Sequence, residues 1–240
     1  MNKAISIGLM AAAATLASCS QARGDAGPSV SRAYTVGSFD RIEVAGPYEV
    51  EVRTGADPSV RAEGPEQRIE RMIVEVRGDE LRIRSERQKG LDFSWGSGDK
   101  VRVLVTVPAL REAAIAGSGG IRIDSVRGDR FNGRIAGSGD LRVDSVDVAD
   151  LSIGVAGSGE AAVRQGRARS VKYAISGSGD IDSRGVQAET AQISIAGSGN
   201  VAGHASATAN VKIAGSGDVE ITGGARCSVS KQGSGNVRCS

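Results

Sequence analysis

The tripeptide Gly-Ser-Gly recurs through the second half of this chain, with its first glycine at Gly117, Gly137, Gly157, Gly177, Gly197, Gly215 and Gly233. Successive copies lie 20, 20, 20, 20, 18 and 18 residues apart. A fixed interval of this size points to a repeat architecture, in which each unit buries its apolar side only by stacking on its neighbours. Relative to the first glycine, the position two before it holds Ile115, Ile135, Val155, Ile175, Ile195, Ile213 and Lys231. The position four after it holds Ile121, Leu141, Ala161, Ile181, Val201, Val219 and Val237. Odd offsets carry Arg122, Arg134, Arg142, Lys172, Asp182, Lys212 and Glu220. This is the in-and-out alternation of half-buried strands.

The predicted fold is therefore all-β: a right-handed parallel β-helix, or solenoid, of 18–20-residue coils. Each coil has two strands, one Gly-Ser-Gly bend and one looser second corner. Composition agrees, because 34 glycines stand against three Phe, three Tyr and one Trp. Narrow coils use Ile and Val layers with glycine at the bends rather than a core of large rings. The serines are expected to form a hydroxyl ladder from coil to coil. The 18-residue coils are expected to lose their two residues at the second corner.

The first half obeys the pattern less strictly. Ile42, Val44, Val50 and Val52 flank Gly46-Pro47 at the same offsets, which predicts a first coil. Between Pro58 and Arg87 the period breaks: Pro65 to Met72 reads as one short helix, and Leu81 and Ile83 as a strand. Gln88 to Asp99 is a loop with Phe93, Trp95 and a stray Gly96-Ser97-Gly98, and Val101 to Val107 is a period-2 strand. Residues 34–110 are thus expected to supply an irregular β-rich N-terminal cap and the first coils, and 111–240 the repeat coils. Phe93 and Trp95 are expected to cover the open end of the stack.

Residues 1–18 read as a targeting segment, with Lys3 ahead of an apolar run from Ala4 to Thr15, too short to span a bilayer. Leu16-Ala17-Ser18-Cys19 resembles a bacterial lipoprotein cleavage site, in which Cys19 becomes the lipidated first residue. The alternative is an ordinary secretory peptide cut after Ala22. Residues 19–33 would then be anchor and flexible tether, with order beginning near Tyr34. Ser20, where an aspartate would signal inner-membrane retention, points to the outer membrane, on its periplasmic or cell-surface face. With Cys19 lipidated, Cys227 and Cys239 remain as an even pair in an oxidising compartment. They stand six before and six after the last Gly-Ser-Gly glycine, both inward offsets, so they are predicted to face inward and to pair across the last coil.

Seven copies of one loop argue for structure rather than for a phosphate cradle, and no copy extends to a Walker or dinucleotide pattern. His204 stands alone and is expected to be no general base. No catalytic residue is predicted. The residue following each bend forms a more pointed column: Gly120, Asp140, Glu160, Asp180, Asn200, Asp218 and Asn236. Carboxylates stacked about 5 Å apart repel. The edge of Asp140, Glu160, Asp180 and Asp218 is therefore a candidate cation or partner site. It takes up Ca²⁺, or Arg122 and Arg142 neutralise it, or the side chains remain solvated turn residues. No other cofactor is expected. A net charge of +2 gives no ground for a nucleic-acid partner.

Phe39-Asp40-Arg41-Ile42-Glu43-Val44, Leu81-Arg82-Ile83, Val101 to Pro108 and the Gly-Ser-Gly phrases together resemble a known family of unknown function, the auto-transporter adhesin, head GIN domain. The resemblance covers about Tyr34 to Ser240. It implies a β-helical fold, a secretion or lipoprotein signal and an adhesin role, with no catalytic residues to carry over. The chain departs from the family name in lacking a large translocating barrel. The expectation is a non-enzymatic envelope lipoprotein, membrane-bound through its lipid, that presents a repetitive surface for adhesion or contact with an unknown envelope protein or glycan. The alternatives are a glycan-binding or glycan-cleaving β-helix and a structural accessory lipoprotein without a ligand.

Overall fold

The computed structural model describes residues 28–86 and 100–240. The targeting segment, Cys19, Phe93, Trp95 and Gly96-Ser97-Gly98 lie outside these residues.

The described chain is a parallel β-solenoid. From residue 112 the strands are β8 (Glu112–Gly117), β9 (Gly120–Gly137), β10 (Asp140–Gly157), β11 (Glu160–Val163), β12 (Gly166–Gly177), β13 (Asp180–Asp182) and β14 (Val186–Gly197). They are followed by β15 (Asn200–His204), β16 (Thr208–Gly215), β17 (Val219–Thr222), β18 (Arg226–Gln232) and β19 (Val237–Cys239). Every pairing among them is parallel and in register by one coil, for example Val155↔Ile135 and Val155↔Ile175. The second corner is itself laddered in the longer coils, where Val146 pairs with Val126 and with Gly166. The 18-residue coils are shortened there: Asp182 and Thr190 pair with Ala202 and Thr208, so eight residue steps in one coil match six in the next.

The N-terminal region contains β1 (Ser29–Tyr34), β2 (Arg41–Ala45), β3 (Glu49–Thr54), β4 (Ser59–Pro65), α1 (Glu66–Glu70), β5 (Met72–Arg77), β6 (Glu80–Ser85) and β7 (Arg102–Val107). The coil made by β2 and β3 bends at Gly46 as expected. Its neighbours in space, however, are not its neighbours in sequence. β2 lies between β6 and β8, and β3 between β7 and β9, all in parallel. The β6–β7 coil thus stacks below the coil that precedes it in the chain. The segment after β7 passes the intervening coil to reach β8, held by Gly55 N–H on Val107 O (2.9 Å) and Arg111 N–H on Asp40 O (2.7 Å). The result is an unbroken inward column Ile83, Val44, Ile115, Ile135, Val155, Ile175, Ile195, Ile213, Lys231.

Below this stack the parallel ladders stop on antiparallel strands: β5 on β6, β4 on β7, and β1 on β4. Reversing strand direction ends the repeat and covers edges that would otherwise recruit further strands. Ser29–Tyr34, expected to be tether, is instead a strand, because it pairs along the whole of β4. The short helix is present as Glu66–Glu70, with Ile69 fully buried.

The core is one cluster running the length of the solenoid. Each coil buries its even-offset side chains at roughly 1.5–3 kcal/mol apiece, and only adjacent coils exclude the water. Phe131 and Tyr173 point inward, both 1% exposed. Glycine at one inward position makes room for the neighbouring aliphatic side chains: a methyl group on Gly133 would lie 2.5 Å from Leu141 and 2.8 Å from Ile153. Burial raises the phenol pKa of Tyr173 from its ordinary 10.0, partly offset by a hydrogen bond with Ser183. The folded state thus holds this proton more tightly than the unfolded chain. The corresponding stability is complete below pH about 10 and is lost as pH rises through the alkaline range at up to about 1.4 kcal/mol per unit. Urea midpoints for wild type and Tyr173→Phe between pH 8 and 11 should diverge only above pH 10, with the variant falling less. Parallel curves would contradict this.

Candidate functional site

The bends show why Gly-Ser-Gly repeats and why it is not a ligand loop. The first glycine of each copy has positive φ, +128° at Gly157. The central serine amide, rather than its hydroxyl, carries the ladder: Ser158 N–H donates to Gly137 O and Ser178 N–H to Gly157 O, each at 2.9 Å. The second glycine is buried against the bend below. A Cβ on Gly159 would lie 2.3 Å from Gly139 O and 2.7 Å from Ile135 Cγ2. The donors that a phosphate would need are already used between coils.

On the side of the bend that follows it, the acidic column is satisfied internally. Arg142 lies 3.4 Å from Asp140 and 3.9 Å from Glu160. Arg122 does not join it and pairs with Asp144 instead at 3.0 Å. Farther along, carboxylate and carboxamide alternate. Asn200 donates through its backbone and side-chain nitrogens to Asp180 (3.0 and 2.9 Å), Asp218 N–H donates to the Asn200 side chain (3.1 Å), and Asn236 donates twice to Asp218 (2.8 and 3.2 Å). An amide between two carboxylates replaces repulsion with hydrogen bonds. Among the described residues no three His, Cys, Asp or Glu side chains converge as a metal would require. Millimolar Ca²⁺ should accordingly leave the melting temperature within error. A rise of several degrees, abolished by Asp180→Asn, would instead assign a cation site to this edge.

On the side that precedes the bend, the strands present a different surface. The outward position just before the glycine holds Ala116, Ala136, Ala156, Ser176, Ala196 and Ala214, and two residues earlier stand Ala114, Arg134, Gly154, Ala174, Ser194 and Lys212. The small side chains among them leave a flat shelf at backbone height, with an open groove of about 820 Å³ over its N-terminal half. Arg130, Asp150 and Lys172 rise along one side of it, and Arg134 stands within it, stacked between Ala114 and Gly154. Arg134 pairs with Glu112 at 3.0 Å. Asp150 accepts from Ser170 at 2.6 Å, and this bond, with the nearby Arg169, holds its carboxyl below the ordinary range. The sequence reading missed this shelf because it sorted outward residues by charge, whereas the signal lay in their size at one column.

Cys227 and Cys239 form a disulfide across the last coil, with Cα atoms 6.6 Å apart. Their columns are inward, yet Cys227 is half-buried and Cys239 exposed, since no described coil lies above them. His204 lies at the second corner, its Nδ1 3.3 Å from Thr222 Oγ1.

Comparison with known proteins agrees with this architecture. A protein from Bacteroides fragilis described as a "putative adhesin" superposes with a TM-score of 0.80 at 20% identity, covering 88% of this chain and 97% of that one. A "putative adhesin" from Parabacteroides merdae gives 0.71 at 18% identity, covering 89% and 97%. A "putative lipid binding protein" from Parabacteroides distasonis gives 0.68 at 24%, covering 89% and 97%. At these identities the likeness establishes the fold. No curated protein matches the chain. The family model described as "Putative auto-transporter adhesin, head GIN domain" matches residues 38–225, and the chain belongs to that family.

Proposed function

We propose that this protein is a non-enzymatic lipoprotein of the outer membrane, exported by residues 1–18 and anchored through Cys19. In this reading it uses the flat side of its solenoid for adhesion or protein contact. The observation that carries the proposal is the shelf. Stacking repeats one small outward position over several coils, and the product is an extended surface, open to large partners, with Arg134 as the one charged side chain between Ala114 and Ser194 in the adjoining column. Such a surface suits a broad macromolecular contact better than capture of a small molecule, which calls for a concave, enclosing pocket. Membership of an adhesin-named family supports the same reading, as does the lipobox-like Leu16-Ala17-Ser18-Cys19.

The test is crosslinking in intact envelopes followed by purification of the protein and identification of what is attached, in parallel with a glycan array. The proposal expects a discrete crosslinked polypeptide and no glycan binding. Glycan binding without polypeptide capture would favour a carbohydrate-binding protein, and neither would leave an accessory structural lipoprotein. Labelling with a fatty-acid analogue, lost in Cys19→Ala, tests the anchor separately.

A further inference from the structure

The two ends of the solenoid are finished differently. At the N-terminal end antiparallel strands close the ladders. At the other end β18 has a single strand partner among the described residues, β16. Arg226 N–H donates to Ala207 O at 3.0 Å, which sets the phase of this parallel ladder. Arg226, Ser228 and Ser230 turn their backbone groups toward β16, and Cys227, Val229 and Lys231 turn theirs away. Three residues thus offer both N–H and C=O along an open edge.

Two further observations concern the chemistry of that edge. Val229 sits over Val211 in an inward column but is 48% exposed, and among the described residues it is the one large hydrophobic side chain left so open. From Gly223 to Cys239 the charged residues are Arg226, Lys231 and Arg238, all exposed, with no aspartate or glutamate among them. The nearest carboxylates are engaged elsewhere: Asp218 accepts from Asn236, and Glu220 pairs with Arg184 at 3.2 Å. Lys231 Nζ donates to Gly235 O at 2.7 Å, which fixes its charge near the edge.

We propose that β18 is a strand-addition site for an extended acidic polypeptide segment. The segment pairs its backbone with Cys227, Val229 and Lys231, covers Val229, and sets carboxylates against Arg226 and Lys231. Backbone pairing supplies affinity in this mode of recognition, and the side chains supply selectivity. A second copy of the chain fits less well, because a two-fold pair of these edges opposes two cations to two cations. This edge is a surface separate from the lateral shelf, and the proposal stands or falls independently of it.

The probe is a synthetic peptide of alternating glutamate and valine, titrated calorimetrically into the oxidised protein, with the valine–lysine peptide and a backbone N-methylated valine–glutamate peptide as controls. Val229→Pro is the protein-side test, since the Val229 N–H points away from β16 and its loss leaves that ladder intact. The expected result is saturable binding of the acidic peptide, about tenfold or more weaker with Val229→Pro, with Lys231→Glu and with the N-methylated peptide. Amide exchange at Val229 and Lys231 should slow on binding. The peptide controls need no protein variant, so the test survives even if Val229→Pro fails to fold. Equal binding of the basic or N-methylated peptide, or no binding at all, overturns the proposal. Self-association abolished by Val229→Pro, without peptide binding, also overturns it and assigns the edge to a second copy.

Discussion

Gly157→Ala should destabilise the protein by about 4 kcal/mol, while Gly154→Ala, three residues earlier on the same strand, should stabilise it by about 0.5 kcal/mol. At Gly157 two costs act together. The backbone sits at φ +128°, where an L side chain is strained by about 1–3 kcal/mol. The added methyl would also lie 2.2 Å from Gly137 O, backbone that is fixed by the ladder below. Overpacking of this kind costs about 1–3 kcal/mol more. Gly154 has neither problem, since a Cβ there meets nothing within 4 Å. It is an outward strand position at which glycine carries only its entropic penalty of about 0.5–1 kcal/mol. Chemical denaturation of the two variants beside wild type checks both signs at once. A neutral Gly157→Ala would mean that the bends are not packed rung on rung.

Removal of residues 158–177 should leave a folded, shorter solenoid, whereas removal of residues 158–167 should abolish cooperative folding. The first deletion takes out one whole coil and joins Gly157 to Ser178, which already stand at equivalent positions because Gly157 pairs with Gly177. The Gly-Ser-Gly bend is regenerated, and Val155 comes to lie against Ile195, a residue of its own column. Stability falls by one coil and one interface, as in any stack with nearest-neighbour coupling. The molecule shortens by about 4.8 Å, measurable by small-angle scattering. The ten-residue deletion brings the second corner to the bend, so the coil cannot close on its neighbours. Equal tolerance of both deletions would contradict the parallel register.

Most of the architecture can be read from the sequence because identical coils print the same column many times over. Ile135, Val155 and Ile175 identify the inward side, and the surviving offsets around Gly215 show where two residues were lost. The order of the first coils could not be read. Ile83, Val44 and Ile115 are chemically equivalent rungs, and nothing in their alternation says that the later Ile83 stacks below Val44. The antiparallel closure by β1 was hidden for a related reason: in Ser29–Tyr34 only Val30 and Tyr34 pack against the core, with Arg32 between them, and the strand takes its shape mainly from pairing with β4. The acidic edge was half legible. The column was visible, but the pairing of Asp180 and Asp218 with Asn200 and Asn236 depends on geometry that only the stacked bends provide. The shelf is defined by what its side chains lack, and a reading that looks for reactive or charged groups passes over alanine.

The claim that the flat side is the contact surface can be tested by raising its floor. Ala136→Gln, Ala156→Gln and Ala174→Gln together fill the shelf without adding charge or touching the core, and Ala162→Gln with Ala202→Gln makes a matched change on the face beyond the bend. Crosslinked partner recovered from intact envelopes is the measurement, with equal melting temperatures as the control for folding. The account predicts that the shelf variant loses the crosslinked species and the matched variant keeps it; retention by the shelf variant, or loss by both, would contradict it.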